Sequence, residues 1–176
     1  MSTRCQIGIY GDAKDPINGM AVLLYRHSDG YPGTADGKEY GVLPDIIPFL
    51  KSFTGQRGIG DVEYCGAQLL HHLMKAYDKV MEDCNKRTAK IFPNDKPDNT
   101  PRYTGHGICG DKQFHGDIEY YYAVYPTEVK VFEVCGDTPA DWKKVKTVKF
   151  AKVPPRPPVS EVVLPGKNNL TADAII

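Results

Sequence analysis

Several features that usually assign a protein to a functional class are missing from this sequence. It has no CxxC pair, no long apolar run and no excess of either charge, with 22 Lys+Arg against 22 Asp+Glu. A zero formal net charge argues against a nucleic-acid coat protein or a polybasic membrane binder. A membrane helix needs about 18 consecutive apolar residues, and residues 1–10 lack the apolar core of a signal peptide. We therefore expect a cytoplasmic protein without membrane attachment.

Complete catalytic motifs are missing as well. The glycine-rich stretch at residues 55–60 lacks the GK[ST] ending of a phosphate-binding loop, and no GxSxG, HExxH or EF-hand pattern occurs. Without such a motif, the sequence assigns no reaction to the chain. It therefore favours a non-enzymatic binding or regulatory module, whose ligand would be a protein or a nucleotide-like molecule.

The cysteines do not form a disulfide framework. Their number is odd and they are widely spaced, whereas small secreted proteins carry denser and usually even sets. Several of them fall within apolar patterns, which favours packing over chemistry. The simplest interpretation is a set of reduced, mostly buried thiols: Cys5, Cys65, Cys84, Cys109 and Cys135.

The chain of 176 residues is long enough for one domain and a tail. Its character changes at residue 153, where hydrophobic periodicity ends and four prolines crowd together: Pro154, Pro155, Pro157 and Pro158. We predict a single domain over residues 1–152 and a proline-rich, extended or disordered tail over residues 153–176.

Hydrophobic periodicity predicts an α+β fold, a mainly antiparallel sheet with two helices packed on one face. The longer helix covers residues 61–86, and its apolar stripe runs from Val62 to Cys84. The shorter helix has Asp45 as its N-cap and Pro48 in its first turn. Residues 87–106 are polar and proline-punctuated, which predicts a surface loop. The strands are predicted at residues 4–10, 20–25, 118–125, 128–135 and 145–150, the last of them at an edge.

Two stretches near the start of the chain resemble a known group of proteins. They are Ser2-Thr3-Arg4 and Tyr25-Arg26-His27-Ser28-Asp29-Gly30-Tyr31-Pro32, followed by Gly41-Val42-Leu43-Pro44-Asp45 at the start of a helix. The chain thus resembles uncharacterised small proteins of phages, bacteria and archaea that carry an N-terminal TR and a YRHxDGYP motif. The resemblance covers only residues 1–55. Because that group has no established activity, the resemblance implies no reaction.

The YRHSDGYP stretch supplies the first candidate site. If the second strand continues to Asp29, His27 and Asp29 lie on one face, where the carboxylate could orient the imidazole for acid–base catalysis. Arg4 and Arg26 would lie on neighbouring strands and either bind an anion together or pair with Asp29. With Asp29 and Tyr31 they form the expected ligand-binding set. The structural alternative is that Asp29 caps the turn that follows it.

A second candidate consists of His106, Cys109 and His115, which are residue types that zinc prefers. Cys65 or His72 from the long helix could complete a tetrahedral site. The spacing matches no standard zinc motif, so we expect no metal or other cofactor, with zinc as the alternative. Together with His27 and Asp29 of the first site, these residues indicate an alternative function. The chain would then be a hydrolase that acts on nucleic acid, with or without a metal ion.

The third candidate is a basic run near the end of the predicted domain. Trp142 and the tyrosines at residues 120–122 could stack bases while the lysines follow a phosphate backbone, which would make nucleic acid a partner. The alternative is that lysines on an edge strand deter aggregation, which the neutral chain favours. A second copy of the chain is also compatible with the sequence as a partner. The lysines are Lys143, Lys144, Lys146 and Lys149.

Overall fold

The structure of the chain, a computed structural model, describes residues 2–11, 19–57, 59–94, 105–111 and 113–151. The tail predicted over residues 153–176 lies outside these ranges. Within them, no helix combines the length and the apolar character that crossing a membrane requires.

The described residues form a six-stranded sheet and two helices. The strands are β1 (Cys5–Tyr10), β2 (Met20–Arg26), β3 (His106–Ile108), β4 (Tyr120–Val124), β5 (Glu128–Glu133) and β6 (Lys143–Lys149), and the helices are α1 (Val42–Gln56) and α2 (Val62–Ile91). The sheet order is β3-β2-β1-β4-β5-β6, and every neighbouring pair is antiparallel except β1 with β4. The predicted α+β class and the predicted edge position of the last strand are confirmed.

One face of the sheet carries the main hydrophobic core. Side chains alternate along a strand, so Cys5, Ile7 and Ile9 point to the same face, and all three are fully buried. They share one cluster with the buried apolar side chains of α1 and α2. This arrangement is consistent with the prediction that both helices pack on one face.

The opposite face of the sheet, here called the open face, carries a smaller and more aromatic cluster. Its buried members include Tyr10, Tyr121 and Tyr125, and no helix residue belongs to it. Loop residues cover part of this face in place of a helix, among them Phe114 and Trp142. The two faces of the sheet therefore differ in what covers them.

Helix α1 begins earlier than the sequence predicts. It starts directly after Gly41, so Asp45 lies inside the helix and Pro48 lies in its second turn. The predicted N-cap is wrong for two reasons. The first two N–H groups of the helix donate to backbone carbonyls of the preceding loop at 3.0 Å, and the Asp45 carboxylate instead accepts from Arg26 at 2.6 Å.

Helix α2 extends well beyond the sheet on which it packs. Asp61 caps it, as predicted, by accepting a backbone N–H at 3.3 Å. A 30-residue helix is about 45 Å long, whereas a seven-residue strand spans about 23 Å. Burial therefore ends at Leu73, and Val80 is 48% exposed. The predicted apolar stripe is correct as far as Leu73 and wrong for Val80 and Cys84.

The loop predicted over residues 87–106 has regular structure at both of its ends. Helix α2 continues to Ile91, and strand β3 begins at His106. The prediction fails at β3 because a three-residue strand is too short to show a period. Residues 95–104 lie outside the described ranges.

The cysteines are unpaired, as predicted, but they are not all buried. Cys5, Cys65 and Cys109 are buried, whereas Cys84 and Cys135 are exposed, so the packing prediction is wrong for the last two. Burial raises the pKa of the Cys5 and Cys65 thiols to about 12. Both therefore stay protonated at neutral pH and act as small apolar side chains.

Candidate functional site

The YRHSDGYP stretch does not bring its histidine and aspartate together. Strand β2 ends at Arg26, and Asp29 has a left-handed backbone with φ of 55°. Within the described part of the chain, Asp29 forms no hydrogen bond or ion pair with His27. The strand extension on which the expected acid–base pair depends is therefore wrong, because the chain turns before the alternation of a strand could reach Asp29.

The two arginines expected to bind an anion are each paired with another carboxylate. Arg26 is 5% exposed, and it donates to the Ser28 carbonyl at 2.9 Å and to Asp45 at 2.6 Å. Burial lowers the pKa of Arg26, but the hydrogen bond and charge of Asp45 outweigh it and raise the pKa overall. Arg4 pairs with Asp117 at 2.5 Å. The predicted pairing with Asp29 is wrong for both arginines.

The turn after Asp29 has a structural role. The Gly30 N–H donates to the Thr3 carbonyl at 2.9 Å, and the Tyr122 hydroxyl donates to the Gly30 carbonyl at 2.7 Å. A Cβ on Gly30 would lie 2.7 Å from the carbonyl carbon of Arg4, so only glycine allows this close approach. The motif thus ties the start of β1 to β4 and to the loop before α1.

Tyr31, the fourth member of the expected ligand-binding set, lies beside another tyrosine. Its ring meets that of Tyr40 edge-on, with centroids 6.2 Å apart, and its side chain is partly exposed. Of the four expected ligand-binding residues, the two arginines already pair with Asp117 and Asp45.

The expected zinc ligands are divided between the two faces of the sheet. Cys109 Sγ and His115 Nε2 lie 3.8 Å apart on the open face. His106 instead pairs with Arg26 across β2 and β3, which places it on the face that the helices cover. Its ring lies near the Tyr77 ring of α2. Among the described residues, no three His, Cys, Asp or Glu side chains are placed to hold a metal ion. Burial also raises the pKa of Cys109, which disfavours a thiolate ligand or nucleophile there.

Three side chains, those of Tyr25, His27 and His115, lie close together. The Tyr25 hydroxyl is 3.2 Å from His27 Nδ1, and the Tyr25 ring lies 4.9 Å from the His115 ring, centroid to centroid. The sequence did not indicate this group, because its members come from separate parts of the chain.

The lysine run divides between the two faces of edge strand β6. Lys144 is opposite Phe132 in the register, which places it on the open face. Lys143 and Lys146 point to the other face, and Lys146 Nζ donates to the Gly33 carbonyl at 3.2 Å. The lysines therefore do not form the single track that the sequence suggested.

A large cavity lies on the open face, and we call it the aromatic cleft. Its volume is about 1000 Å³, at the upper end of the range for small-molecule sites, about 300–1,000 Å³. Two lysines, Lys130 and Lys144, stand at its rim. Its aromatic lining consists of Tyr10, Phe114, Tyr121, Tyr125, Phe132 and Trp142.

The floor of the aromatic cleft depends on a glycine in β1. The Tyr10 and Tyr121 hydroxyls are 2.5 Å apart, and the Tyr121 hydroxyl also donates to Met20 Sδ at 3.5 Å. A Cβ on Gly8 would overlap the Tyr121 hydroxyl and come within 2.9 Å of Met20 Sδ. Gly8 therefore creates the space in which the Tyr121 side chain lies across the sheet.

The phenols of the floor are neutral hydrogen-bonding groups. Burial raises the pKa of Tyr10 and Tyr121, and it raises the pKa of Tyr125 to about 12. None of these hydroxyls is ionised at neutral pH, so they can donate or accept hydrogen bonds but supply no phenolate base.

One wall of the aromatic cleft is held by a buried glutamine. Gln6 is fully buried; its side chain donates to the Gln113 carbonyl and accepts from the His115 N–H, both at 3.1 Å. These bonds hold Phe114 over the sheet, where its ring meets Trp142 edge-on at 4.8 Å. The Trp142 indole N–H donates to the Gly136 carbonyl at 3.1 Å.

The rim combines cations with aromatic faces. Lys130 Nζ lies 4.6 Å from the centre of the Tyr125 ring and 3.5 Å from Glu128. Lys144 has no ion-pair partner among the described residues, so its charge is available to a ligand. An apolar, ring-lined interior beside a free cation suits a planar molecule that carries negative charge.

Sequence reasoning missed the aromatic cleft, although part of its signal was present. The tyrosines of β4 alternate toward the open face, and period 2 in such a strand indicates which residues lie together. Phe114 and Trp142 belong to irregular segments, and no period places them.

Comparisons of the chain with protein-family models, curated proteins and solved structures find no match.

Proposed function

We propose that this protein is a non-enzymatic binding module whose ligand is a planar aromatic anion of nucleotide type. The observation that supports the proposal is the aromatic cleft, with six aromatic side chains inside and Lys144 at its rim. The rings would contact a base-like ring, and the ammonium group would contact its phosphate. The resemblance of the N-terminal motif to uncharacterised phage, bacterial and archaeal proteins is part of this proposal and assigns no chemistry.

The alternative of a hydrolase has less support. Its acid–base pair needs Asp29 beside His27, but the His27 imidazole contacts Tyr25 instead. Its metal set needs His106 beside Cys109, and these residues lie on opposite faces. The hydroxyls and thiol of the open face have raised pKa values, which suits hydrogen bonding better than nucleophilic attack.

The proposal is tested by titrating the full chain with three related probes. Trp142 is the only tryptophan and lines the cleft, so its fluorescence reports binding there directly. The probes are adenosine 5′-monophosphate, neutral adenosine and inorganic phosphate. We expect the nucleotide to bind more tightly than either fragment, because only it can use the rings and Lys144 together.

A pair of lysine variants on one strand provides the matched control. Lys144→Gln should weaken binding of the nucleotide about fivefold, equivalent to about 1 kcal/mol, and leave adenosine unaffected. Lys143→Gln removes the same charge from the opposite face and should leave both affinities unchanged. Equal binding of the nucleotide by wild type and both variants would remove Lys144 from the site, and absence of any Trp142 response would refute the proposed function.

A further inference from the structure

Two phenols at the floor of the aromatic cleft already use both of their hydroxyl protons within the chain. Each phenol has one proton to donate. The Tyr121 hydroxyl donates its proton to Met20 Sδ at 3.5 Å. The proton in the 2.5 Å contact between the Tyr10 and Tyr121 oxygens therefore belongs to Tyr10. The Tyr10 oxygen is left with lone pairs and without a proton for a ligand.

The opposite order of donors is less favourable. If Tyr121 donated to Tyr10, Met20 Sδ would lose this donor, and the Tyr10 proton would have no acceptor among the described residues. Tyr10 is 2% exposed, and a buried donor without a partner costs free energy. In the first order every proton has an acceptor. Tyr10 is therefore the donor to Tyr121 and an acceptor for any ligand.

We propose that the Tyr10 oxygen selects, among ligands of the aromatic cleft, those whose ring edge carries an N–H donor. Tyr10 and Tyr121 both line the cleft. The aromatic walls would contact the faces of a planar ligand, which leaves its edge for the hydroxyls of the floor. The choice of ligand rests on the proposed function, but the preference of Tyr10 can be measured with neutral rings that carry no phosphate.

The preference arises from the burial of the Tyr10 oxygen. An N–H on the ring edge would donate to this oxygen with little competition from water. A ring atom that carries a lone pair in the same place would face another lone pair, and the polar group of the floor would stay unpaired. We therefore expect about a tenfold difference in affinity between rings that are otherwise alike.

The test compares indole with benzofuran, two bicyclic rings that differ by an N–H in place of an oxygen. Trp142 is the only tryptophan and lines the cleft. In the isotope-labelled full chain its side-chain N–H gives a single nuclear magnetic resonance signal, and the unlabelled probe adds none. The shift of this signal gives the dissociation constant of each probe. Wild type should bind indole about tenfold more tightly than benzofuran.

Two phenylalanine variants should reduce this ratio through different probes. Tyr10→Phe removes the acceptor, so the affinity for indole should fall to that for benzofuran. Tyr121→Phe removes the acceptor of the Tyr10 proton, so this proton becomes available to the ligand and the affinity for benzofuran should rise toward that for indole. The control is Tyr25→Phe, which removes a phenol outside the cleft and should leave both affinities unchanged.

The outcomes separate this inference from the proposed function. Equal binding of the two probes by wild type, or binding of neither, overturns the inference. A Tyr10→Phe variant that is folded by far-UV circular dichroism and keeps the wild-type ratio overturns it as well. Binding of adenosine 5′-monophosphate together with equal binding of the probes overturns the inference alone. A preference for indole without any binding of the nucleotide supports the inference and refutes the proposed function.

Discussion

Arg26 is the residue on which the start of the fold depends most. Its guanidinium satisfies two acceptors from different segments, the Ser28 carbonyl and the Asp45 carboxylate, while almost fully buried. A lysine has one compact ammonium group and cannot reproduce this planar pair of bonds. Arg26→Lys should therefore lower the free energy of unfolding by about 2–3 kcal/mol, measured by urea denaturation followed through Trp142 fluorescence.

Arg4 provides a matched comparison for this prediction. It pairs with Asp117 at a similar distance, but its side chain is 34% exposed and that of Asp117 is 49% exposed. Exposed ion pairs contribute little, so Arg4→Lys should cost less than about 1 kcal/mol. Equal losses for the two variants would show that burial does not set the importance of Arg26.

At the scale of elements, the two halves of α2 should differ in their contribution to stability. Leu69 is fully buried between the helix and the sheet, whereas Val80 is half exposed on the distal half. Leu69→Ala should lower the free energy of unfolding by about 3 kcal/mol through lost contacts and a cavity. Val80→Ala should change it by less than about 0.5 kcal/mol, because alanine also has the higher helix propensity.

The same denaturation experiment shows whether the distal half of α2 is free in solution. A loss for Val80→Ala as large as that for Leu69→Ala would mean that this surface is covered, contrary to its exposure in the structure. Concentration dependence of the midpoint would then identify a second copy of the chain as the covering partner.

Elements with a repeated period could be predicted from the sequence, and single contacts could not. Strand β1 and the first half of α2 follow from periods of 2 and 3.6. The burial of Val80 was mispredicted because a stripe records an amphipathic face without recording how far the partner surface extends. The partner of Arg26 was missed for a related reason, since Asp45 is 19 residues away and no local pattern connects the two.

The same limit applies to the candidate site, where a strand could be predicted from its period and the contacts between distant segments could not. The tyrosines of β4 were recognised as a strand, but their joint cleft with Phe114 depends on how Gln6 holds a loop over the sheet. The YRHSDGYP motif can be recognised in the sequence, but the contacts that its side chains make cannot be predicted from it. Arg26 donates to the Ser28 carbonyl and the Gly30 N–H donates to the Thr3 carbonyl, so these contacts of the motif stabilise a turn.

For the molecule as a whole, the two faces of the sheet have separate roles. The helix-covered face buries aliphatic side chains and supplies most of the core. The open face buries phenols and leaves a cavity beside them. A fold stabilised on one side can keep a cleft on the other, since the cleft contributes less to holding the elements together.

Burial of so many phenols and thiols should make the protein unstable at alkaline pH. The unfolded chain releases these protons near the ordinary values, about 9 for cysteine and 10 for tyrosine, whereas burial raises the pKa of Cys5, Cys65 and Tyr125 to about 12. The unfolded state then binds fewer protons, so the free energy of unfolding should fall as pH rises from about 9 to about 12.

Tyr125→Phe isolates the contribution of one phenol to this alkaline instability. Urea midpoints at pH 8 give the packing effect of the substitution alone, because the Tyr125 phenol is protonated there in both the folded and the unfolded state. At pH 11 the free energy of unfolding of the variant should rise by about 1 kcal/mol relative to that of wild type. In wild type at this pH the unfolded state has lost the Tyr125 proton and the folded state keeps it, which favours unfolding, and phenylalanine removes this effect. A difference between wild type and variant that stays constant from pH 8 to pH 11 would show that the Tyr125 hydroxyl ionises equally easily in both states, and that the interior of the aromatic cleft is wetter than its burial indicates.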